Sequence, residues 1–245
     1  MGVKERRTKI LLSFFLLSDV DFKSVKIDAN AQKIFDYSPN LKTQTTLSSL
    51  IKEGAIKKIS ENEEYVLTDS GFESLSFEFP FFRFLKNKWD MKWRIISYEI
   101  PEAKRELRDR LRREMQGWGL GPWHRSFWLT PHPVIKQLKT LVTGKAEEQY
   151  IQAFESDHSF GNRDILIEKV WGKSALDKQY RGLFKKWHEI LSKDGDKIEK
   201  FQHVVDEYIT LLRVDPGLPV DLMGESWIGF EAMNIFKEIR GILLS

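Results

Sequence analysis

The chain has 245 residues, of which 41% are hydrophobic, and a formal net charge of +3 at neutral pH. This length predicts two or three small domains with real apolar cores, because one domain usually takes roughly 100–200 residues. The sequence has no cysteine, which excludes disulfides, thiolate zinc sites and a cysteine nucleophile and suits a reducing cytoplasm. The longest apolar run, Ile10 to Leu17, is far shorter than the roughly 20 residues that span a membrane, so we expect a core helix and no membrane partner.

The N-terminal third predicts three helices followed by a hairpin. Apolar positions recur with a helical period in the first segment, Ser38-Pro39 is a favourable start for the third helix, and Glu53-Gly54 is a favourable end. This order is that of a winged helix-turn-helix, which would occupy residues 1–79. The predicted elements are helices over 4–17, 29–37 and 38–53 and strands over 55–60 and 64–68.

The outer face of the third predicted helix is the candidate DNA-reading surface. At about 100° per residue, Leu47, Leu50 and Ile51 fall on one side, and the opposite side carries no acid and no large apolar group. Short hydroxyl side chains reach base edges, whereas lysines there and on the wing meet phosphates. Three alternatives stay open, namely a merely solvated face, a module that docks proteins, and a module that only dimerises. The predicted DNA-binding residues are Lys42, Thr45, Thr46, Ser49, Lys57 and Lys58.

The middle third predicts a ferredoxin-like α+β domain over residues 80–172. This segment holds the basic surplus of the chain, with 17 basic and 12 acidic side chains. Five arginines on its first helix form either a patch that faces phosphates or a solvated face neutralised by pairs such as Glu106–Arg110 and Asp109–Arg113. The predicted elements are a strand over 89–100, a helix over 102–116, a strand over 125–131, a helix over 133–142, and a strand pair over 148–156 and 164–171.

Glu99 lies near the C-terminal end of the predicted strand, between the apolar residues Tyr98 and Ile100. It either binds a divalent ion through its oxygen atoms or turns outward and pairs with an arginine. The five histidines show no metal-binding spacing, and the sequence has no hydrolase or nucleotide-binding motif. We therefore predict no catalytic residue, no metal and no cofactor, and keep Glu99 with magnesium or manganese as the alternative.

Residues 173–245 predict a helical C-terminal domain with helices over 175–192, 196–212 and up to Leu244. A stiff turn with two prolines, Arg213 to Pro219, separates the last two helices. Seven aromatic side chains are predicted to build a small helical core, and some of them alternatively line a ligand pocket. These are Tyr180, Phe184, Trp187, Phe201, Tyr208, Trp227 and Phe236.

Three ordered blocks of the sequence span nearly the whole chain, and they are 46–54 with 65–71, 89–94 with 97–102 and 107–112, and 213 with 215–219 and 227–229. Together these blocks resemble the PaaX family of transcriptional regulators. The resemblance implies a winged helix, a ferredoxin-like domain and a helical domain for effector response and dimerisation. It also implies a homodimer that binds palindromic operators in double-stranded DNA and responds to an acyl-coenzyme A-type effector. The sequence departs from the family at Met91, where glycine is usual, and in a shorter, lysine-rich C-terminal third.

The central segment also resembles CRISPR-associated protein two, a small ferredoxin-like subunit. In that family an aspartate after a tyrosine ends the first strand and can bind a metal across a dimer, and Tyr98-Glu99 matches that place. The sequence therefore predicts a cytoplasmic DNA-binding repressor that acts as a homodimer gated by a small effector. The alternative that it leaves open is a metal-dependent endonuclease that uses Glu99.

Overall fold

A computed structural model of the protein describes residues 3–18, 25–37, 40–60, 62, 64–85 and 87–245. Helices and two small sheets make up the described part of the chain, so the predicted α+β class is confirmed. The elements divide between two units: the first contains residues 1–76, 181–211 and 231–245, and the second contains residues 77–180 and 212–230. The predicted domain boundaries at 79 and 172 stay a prediction. Within the described residues no helix combines the length and apolar character that crossing a membrane needs.

The N-terminal part of the first unit alternates helices with the strands of one small sheet. Its strands are antiparallel, and the last of the three lies between the other two. The first strand was not predicted, because two residues are too few to show a β period. The elements in chain order are α1 (Val3–Leu17), β1 (Val25–Lys26), α2 (Ala29–Ile34), α3 (Leu41–Lys52), β2 (Ile56–Ser60), β3 (Glu64–Leu67) and α4 (Asp69–Glu78).

Side-chain caps set where α2 and α3 begin. Asp28 accepts a hydrogen bond from the amide of Ala31 at 3.0 Å, and Asn40 accepts one from the amide of Thr43 at 3.1 Å. The predicted start of the third helix, Ser38-Pro39, lies outside the described residues. The predicted end of the second helix at Tyr37 is wrong: the helix ends at Ile34, because Asp36 takes a positive φ of 49° that a helix cannot contain.

The second unit is built on a four-stranded antiparallel sheet with two helices on one face. The strand order is β5-β6-β4-β7, which together with the order of the helices is the ferredoxin-like arrangement. Its elements are β4 (Trp93–Tyr98), α5 (Arg105–Gly117), β5 (Gly121–His124), β6 (Phe127–Thr130), α6 (Ile135–Val142), β7 (Ile151–Ser156) and α7 (Arg163–Trp171). The buried side chains of Ile96 and Trp128 pack there with Met115 of α5 and Leu138 of α6.

Two elements of this unit differ from the prediction. The predicted strand over 164–171 is helix α7, because Asn162 caps it through the amide of Ile165 at 3.1 Å and Gly172 ends it at a φ of 65°. Its β-branched residues favoured a strand, and the caps decide otherwise. Strand β5 was missed, because its Gly121-Pro122 start is a weak strand signal.

The C-terminal helices are shared by the two units, and so are their aromatic side chains. The helices are α8 (Lys173–Ser192), α9 (Lys197–Leu212), α10 (Val220–Met223) and α11 (Ile228–Leu244). In the first unit the ring of Tyr208 lies 5.4 Å from that of Trp187 and 5.0 Å from that of Phe236. In the second unit Tyr180 and Trp227 lie 6.0 Å apart. The predicted aromatic core is therefore two cores, one in each unit.

The two-proline turn of the second unit is held by buried hydrogen bonds. The carboxylate of Asp215 accepts bonds from the Tyr180 hydroxyl at 2.5 Å and the Gly217 amide at 2.7 Å, and burial raises its pKa. Buried His132 places Nε2 2.7 Å from the carbonyl oxygen of Pro216 and stacks on Phe84 at 4.8 Å. Since a carbonyl only accepts, Nε2 donates. Burial lowers the pKa of His132 well below its ordinary value, so the ring is neutral.

We predict that His132→Phe lowers the free energy of unfolding by about 1–3 kcal/mol, because the Pro216 carbonyl loses its donor in a buried site. The unfolded ring takes up a proton near pH ~6.5 whereas the native ring resists it, so the wild type loses stability as the pH falls below that value. The variant lacks this contribution. Denaturant unfolding at neutral and at mildly acidic pH measures both effects, and an identical pH dependence of the two proteins would contradict the assignment.

Candidate nucleic-acid interface

Helix α3 buries one face inside the first unit and exposes the other. Its buried side chains are Thr43, Thr46, Leu47 and Leu50, and α1 is among the elements that it contacts. The exposed face carries polar and basic groups together with the apolar side chains of Leu41 and Ile51, and it has no acid between residues 41 and 52. The exposed residues are Leu41, Lys42, Gln44, Thr45, Ser48, Ser49, Ile51 and Lys52.

The predicted position of Thr46 on the outer face is wrong. Its side chain is only 6% exposed, and its hydroxyl donates to the carbonyl oxygen of Lys42 at 2.8 Å. The hydroxyl is therefore satisfied inside the helix while the methyl group packs as an apolar one. Counting Thr43 and Thr46 with the buried residues turns the inner face by roughly 40° from the predicted one, at about 100° per residue.

This rotation brings Gln44 and Ser48 onto the exposed face, where sequence reasoning did not place them. A glutamine amide offers both donor and acceptor to an adenine edge, and a serine hydroxyl bonds to several bases. Thr45 is exposed as predicted, with its hydroxyl donating to the carbonyl oxygen of Leu41 at 2.8 Å. The signal that could have found these residues is the spacing of Thr43, Thr46 and Leu50, which is a helical period if threonine counts as apolar.

Ser49 is exposed but engaged by a neighbouring acid. Its hydroxyl donates to Glu53 at 2.7 Å, and Arg7 of α1 donates to the other carboxylate oxygen at 2.6 Å. The bond from Ser49 and the Arg7 guanidinium hold the pKa of Glu53 below its ordinary value. This network neutralises the acid that follows α3, which would otherwise repel a phosphate close to the exposed face.

The two wing lysines are exposed, as predicted, but they lie on opposite faces of the hairpin. Lys57 stands opposite Val66 and Lys58 stands opposite Tyr65, and neighbouring residues of a strand point to opposite sides. The pairing shifts between Lys58 and Ser60. One side of the hairpin therefore presents one of these lysines to a ligand, not both.

Glu99 lies directly after β4 and is exposed. Its amide donates to the carbonyl oxygen of Tyr150 at 3.1 Å, so the backbone continues the pairing with the segment before β7. Among the residues that the structure describes, no three His, Asp or Glu side chains are grouped so that they could hold a metal ion. Glu99 faces outward, which is half of the second predicted role, but within the described residues no arginine forms an ion pair with it.

The arginines of α5 are partly neutralised, but not by the predicted partners. Arg108 pairs with Glu102 at 2.6 Å, Arg105 pairs with Asp109 at 3.6 Å, and Arg110 pairs with the buried carboxylate of Glu147. The predicted pairs Glu106–Arg110 and Asp109–Arg113 are wrong, because Arg110 pairs with Glu147 of the segment before β7 and Asp109 pairs with Arg105 on its other side along α5. Arg112 and Arg113 are exposed.

We predict that Thr46→Lys and Ser48→Lys differ sharply in stability although both add one lysine to α3. Lysine at position 46 buries a charge against Leu47 and Leu50, which should lower the free energy of unfolding by more than about 2 kcal/mol. Lysine at position 48 stays in solvent and should change it by less than about 0.5 kcal/mol. Thermal or denaturant unfolding of the two variants measures this, and equal stabilities would show that the helix face is assigned wrongly.

The chain contains a ferredoxin-like sheet that is followed by helices, and its elements form two compact units, so it is an α+β protein with more than one unit. Family models match two parts of it: the PaaX protein central Cas2-like domain matches residues 86–165, and the PaaX-like protein C-terminal domain matches residues 171–245. These matches cover well over half of the sequence, so the chain belongs to the PaaX family, as predicted. Membership of this family indicates a transcriptional regulator.

Two further comparisons carry no information about function. Among solved structures, the chain is similar to "Uncharacterized protein Rv0674 from Mycobacterium tuberculosis", with 14% sequence identity and a TM-score of 0.48. The similarity covers 96% of this chain and 97% of that one. No curated protein matches the chain.

Proposed function

We propose that the protein is a DNA-binding transcriptional regulator that recognises base edges with α3 of a winged helix. The observation that carries this proposal is the exposed face of α3, which offers Gln44, Thr45 and Ser48 and contains no acid. The order of α1, β1, α2, α3 and the β2–β3 hairpin, with β3 between the other strands, supports it because a winged helix has this order. The family matches support the regulatory role.

Phosphate contacts would come from the lysines around this face. Lys42 and Lys52 lie on α3, and Lys57 or Lys58 would reach the backbone from the wing. Of the other residues predicted from the sequence, Thr45 stays in the proposed interface, Thr46 supports the helix from inside, and Ser49 restrains Glu53.

The finer parts of the proposal are repression, homodimerisation and gating by an acyl-coenzyme A-type effector, and they rest on the family resemblance. Two copies of α3 would recognise two half-sites of a palindromic operator. Contacts inside the first unit link the C-terminal helices to the N-terminal ones: Lys33 of α2 pairs with Glu199 at 3.2 Å, and Arg240 of α11 donates to the Ser18 carbonyl at 2.6 Å. A ligand that moves α9 or α11 would therefore act on the helices before α3.

To test recognition by α3, a preferred duplex is first selected from a random pool with the full-length protein in chelator. We predict that Gln44→Ala with Ser48→Ala lowers the ratio of affinities for the selected and random duplexes by about 10- to 100-fold, because the bidentate contact that the Gln44 amide can make to an adenine contributes about 1–3 kcal/mol. Lys57→Ala with Lys58→Ala should weaken binding to both duplexes alike and reduce the salt slope by about 1.

Lys139→Ala on α6 is the matched control, since it removes an exposed lysine outside the proposed interface. Failure to select any preferred duplex, or full discrimination by the α3 double variant, would contradict the proposal. Cleavage of the duplex that needs magnesium or manganese and is lost in Glu99→Gln would support the nuclease alternative instead.

A further inference from the structure

The β5–β6 hairpin of the second unit carries an arginine at its tip in an unusual backbone conformation. His124 and Phe127 pair across a two-residue turn formed by Arg125 and Ser126. Arg125 has a φ of 37°, in the left-handed region that glycine and asparagine usually occupy in such turns. Strained residues of this kind are concentrated at functional sites, since packing alone does not favour them.

Two large aromatic side chains flank this tip and remain accessible. Trp123 is 38% exposed and Phe127 is 42% exposed. The strand pairing shifts between Pro122 and His124, so Trp123 sits at a bulge, a feature that redirects a side chain. Phe127 lies on the face of the sheet opposite the buried Trp128 and therefore outside the core with α5 and α6.

Cations of three segments gather at the same end of the sheet. The amide of Tyr98 donates to the Ser126 carbonyl at 3.2 Å, which places the hairpin tip beside the end of β4. The charges of Arg112 and Arg108 act on the Tyr98 hydroxyl, against the burial that raises its pKa. Lys104 donates to the Tyr150 hydroxyl at 3.2 Å, and the backbone carbonyl of the same tyrosine accepts a bond from the Glu99 amide at 3.1 Å. We call Lys104, Arg108, Arg112 and Arg125 the basic end of the sheet.

The acids at this end leave part of the positive charge free. Glu102 forms an ion pair with Arg108 at 2.6 Å, and Asp109 forms one with Arg105 at 3.6 Å, while Glu99 is exposed. Within the described part of the chain, no carboxylate oxygen lies within 4 Å of the guanidinium of Arg112 or Arg125. A guanidinium stays charged and matches the geometry of a phosphate, so both arginines are suited to that ligand.

We propose that the basic end, with Trp123 and Phe127, is a second surface that binds duplex DNA without regard to its sequence. Arg125 and Arg112 bond phosphate oxygens, and the two aromatic rings cover adjacent deoxyribose groups. This accounts for the basic surplus of residues 80–172, which α3 and the wing do not use. The inference rests on the proposed function in one respect only, that duplex DNA is the ligand.

The test compares Arg125→Gly and Arg125→Lys with the wild type on the selected and the random duplex over a range of salt concentrations. Glycine suits the positive φ, so Arg125→Gly should fold with an unchanged or higher melting temperature. It should weaken binding to both duplexes by the same factor, about 3- to 10-fold near 0.1 M salt, and reduce the salt slope by about 1. Arg125→Lys should restore most of the slope, and the control Lys139→Ala should match the wild type.

Trp123→Ala is the second variant, expected to weaken both complexes without changing the salt slope. If Arg125→Gly leaves the DNA affinity and the salt slope unchanged while the α3 double variant loses discrimination, the second surface is overturned and the proposed function stands. Tighter binding of single-stranded than of duplex DNA that depends on Arg125 would also overturn it. Absence of DNA binding by the wild type would overturn both proposals.

Discussion

The packing of one helix face decides which side chains this protein can present to a ligand at α3. Thr43, Thr46, Leu47 and Leu50 are buried, and the Asn40 cap fixes where the helix begins. Because successive residues differ by about 100°, these contacts fix the direction in which the Cα–Cβ bonds of Gln44, Thr45 and Ser48 leave the helix. A recognition helix needs this restraint, since a side chain that reaches a base edge must hold its geometry to discriminate between bases.

Charge is the second constraint, because a protein with a net charge of only +3 cannot rely on its overall field to attract DNA. The structure places its cations locally and removes competing acids. Arg7 and Ser49 bind Glu53 beside α3, and Arg108 binds Glu102 at the basic end. If both proposed surfaces bind DNA, α3 supplies sequence preference and the basic end adds affinity that does not depend on sequence.

Prediction from sequence succeeded where a long period or several blocks carried the signal. The helical period of 4–17, the hairpin of the N-terminal third and the PaaX resemblance all rested on many residues. Prediction failed where a single local interaction decides the conformation of a segment. Helix α7 depends on the Asn162 cap and Gly172, and the face of α3 depends on a threonine whose hydroxyl bonds within the helix. The tip conformation of Arg125 left no trace in the sequence, because arginine rarely occupies such a turn.

Amide hydrogen–deuterium exchange of the full-length protein, alone and with the selected or a random duplex, tests recognition by α3 most directly. If α3 recognises the bases, residues 41–52 gain protection with the selected duplex and much less with the random one. Residues 121–130 should gain protection with either duplex. If residues 41–52 exchange at the same rate in the free protein and in the protein saturated with the selected duplex, recognition by this helix is contradicted.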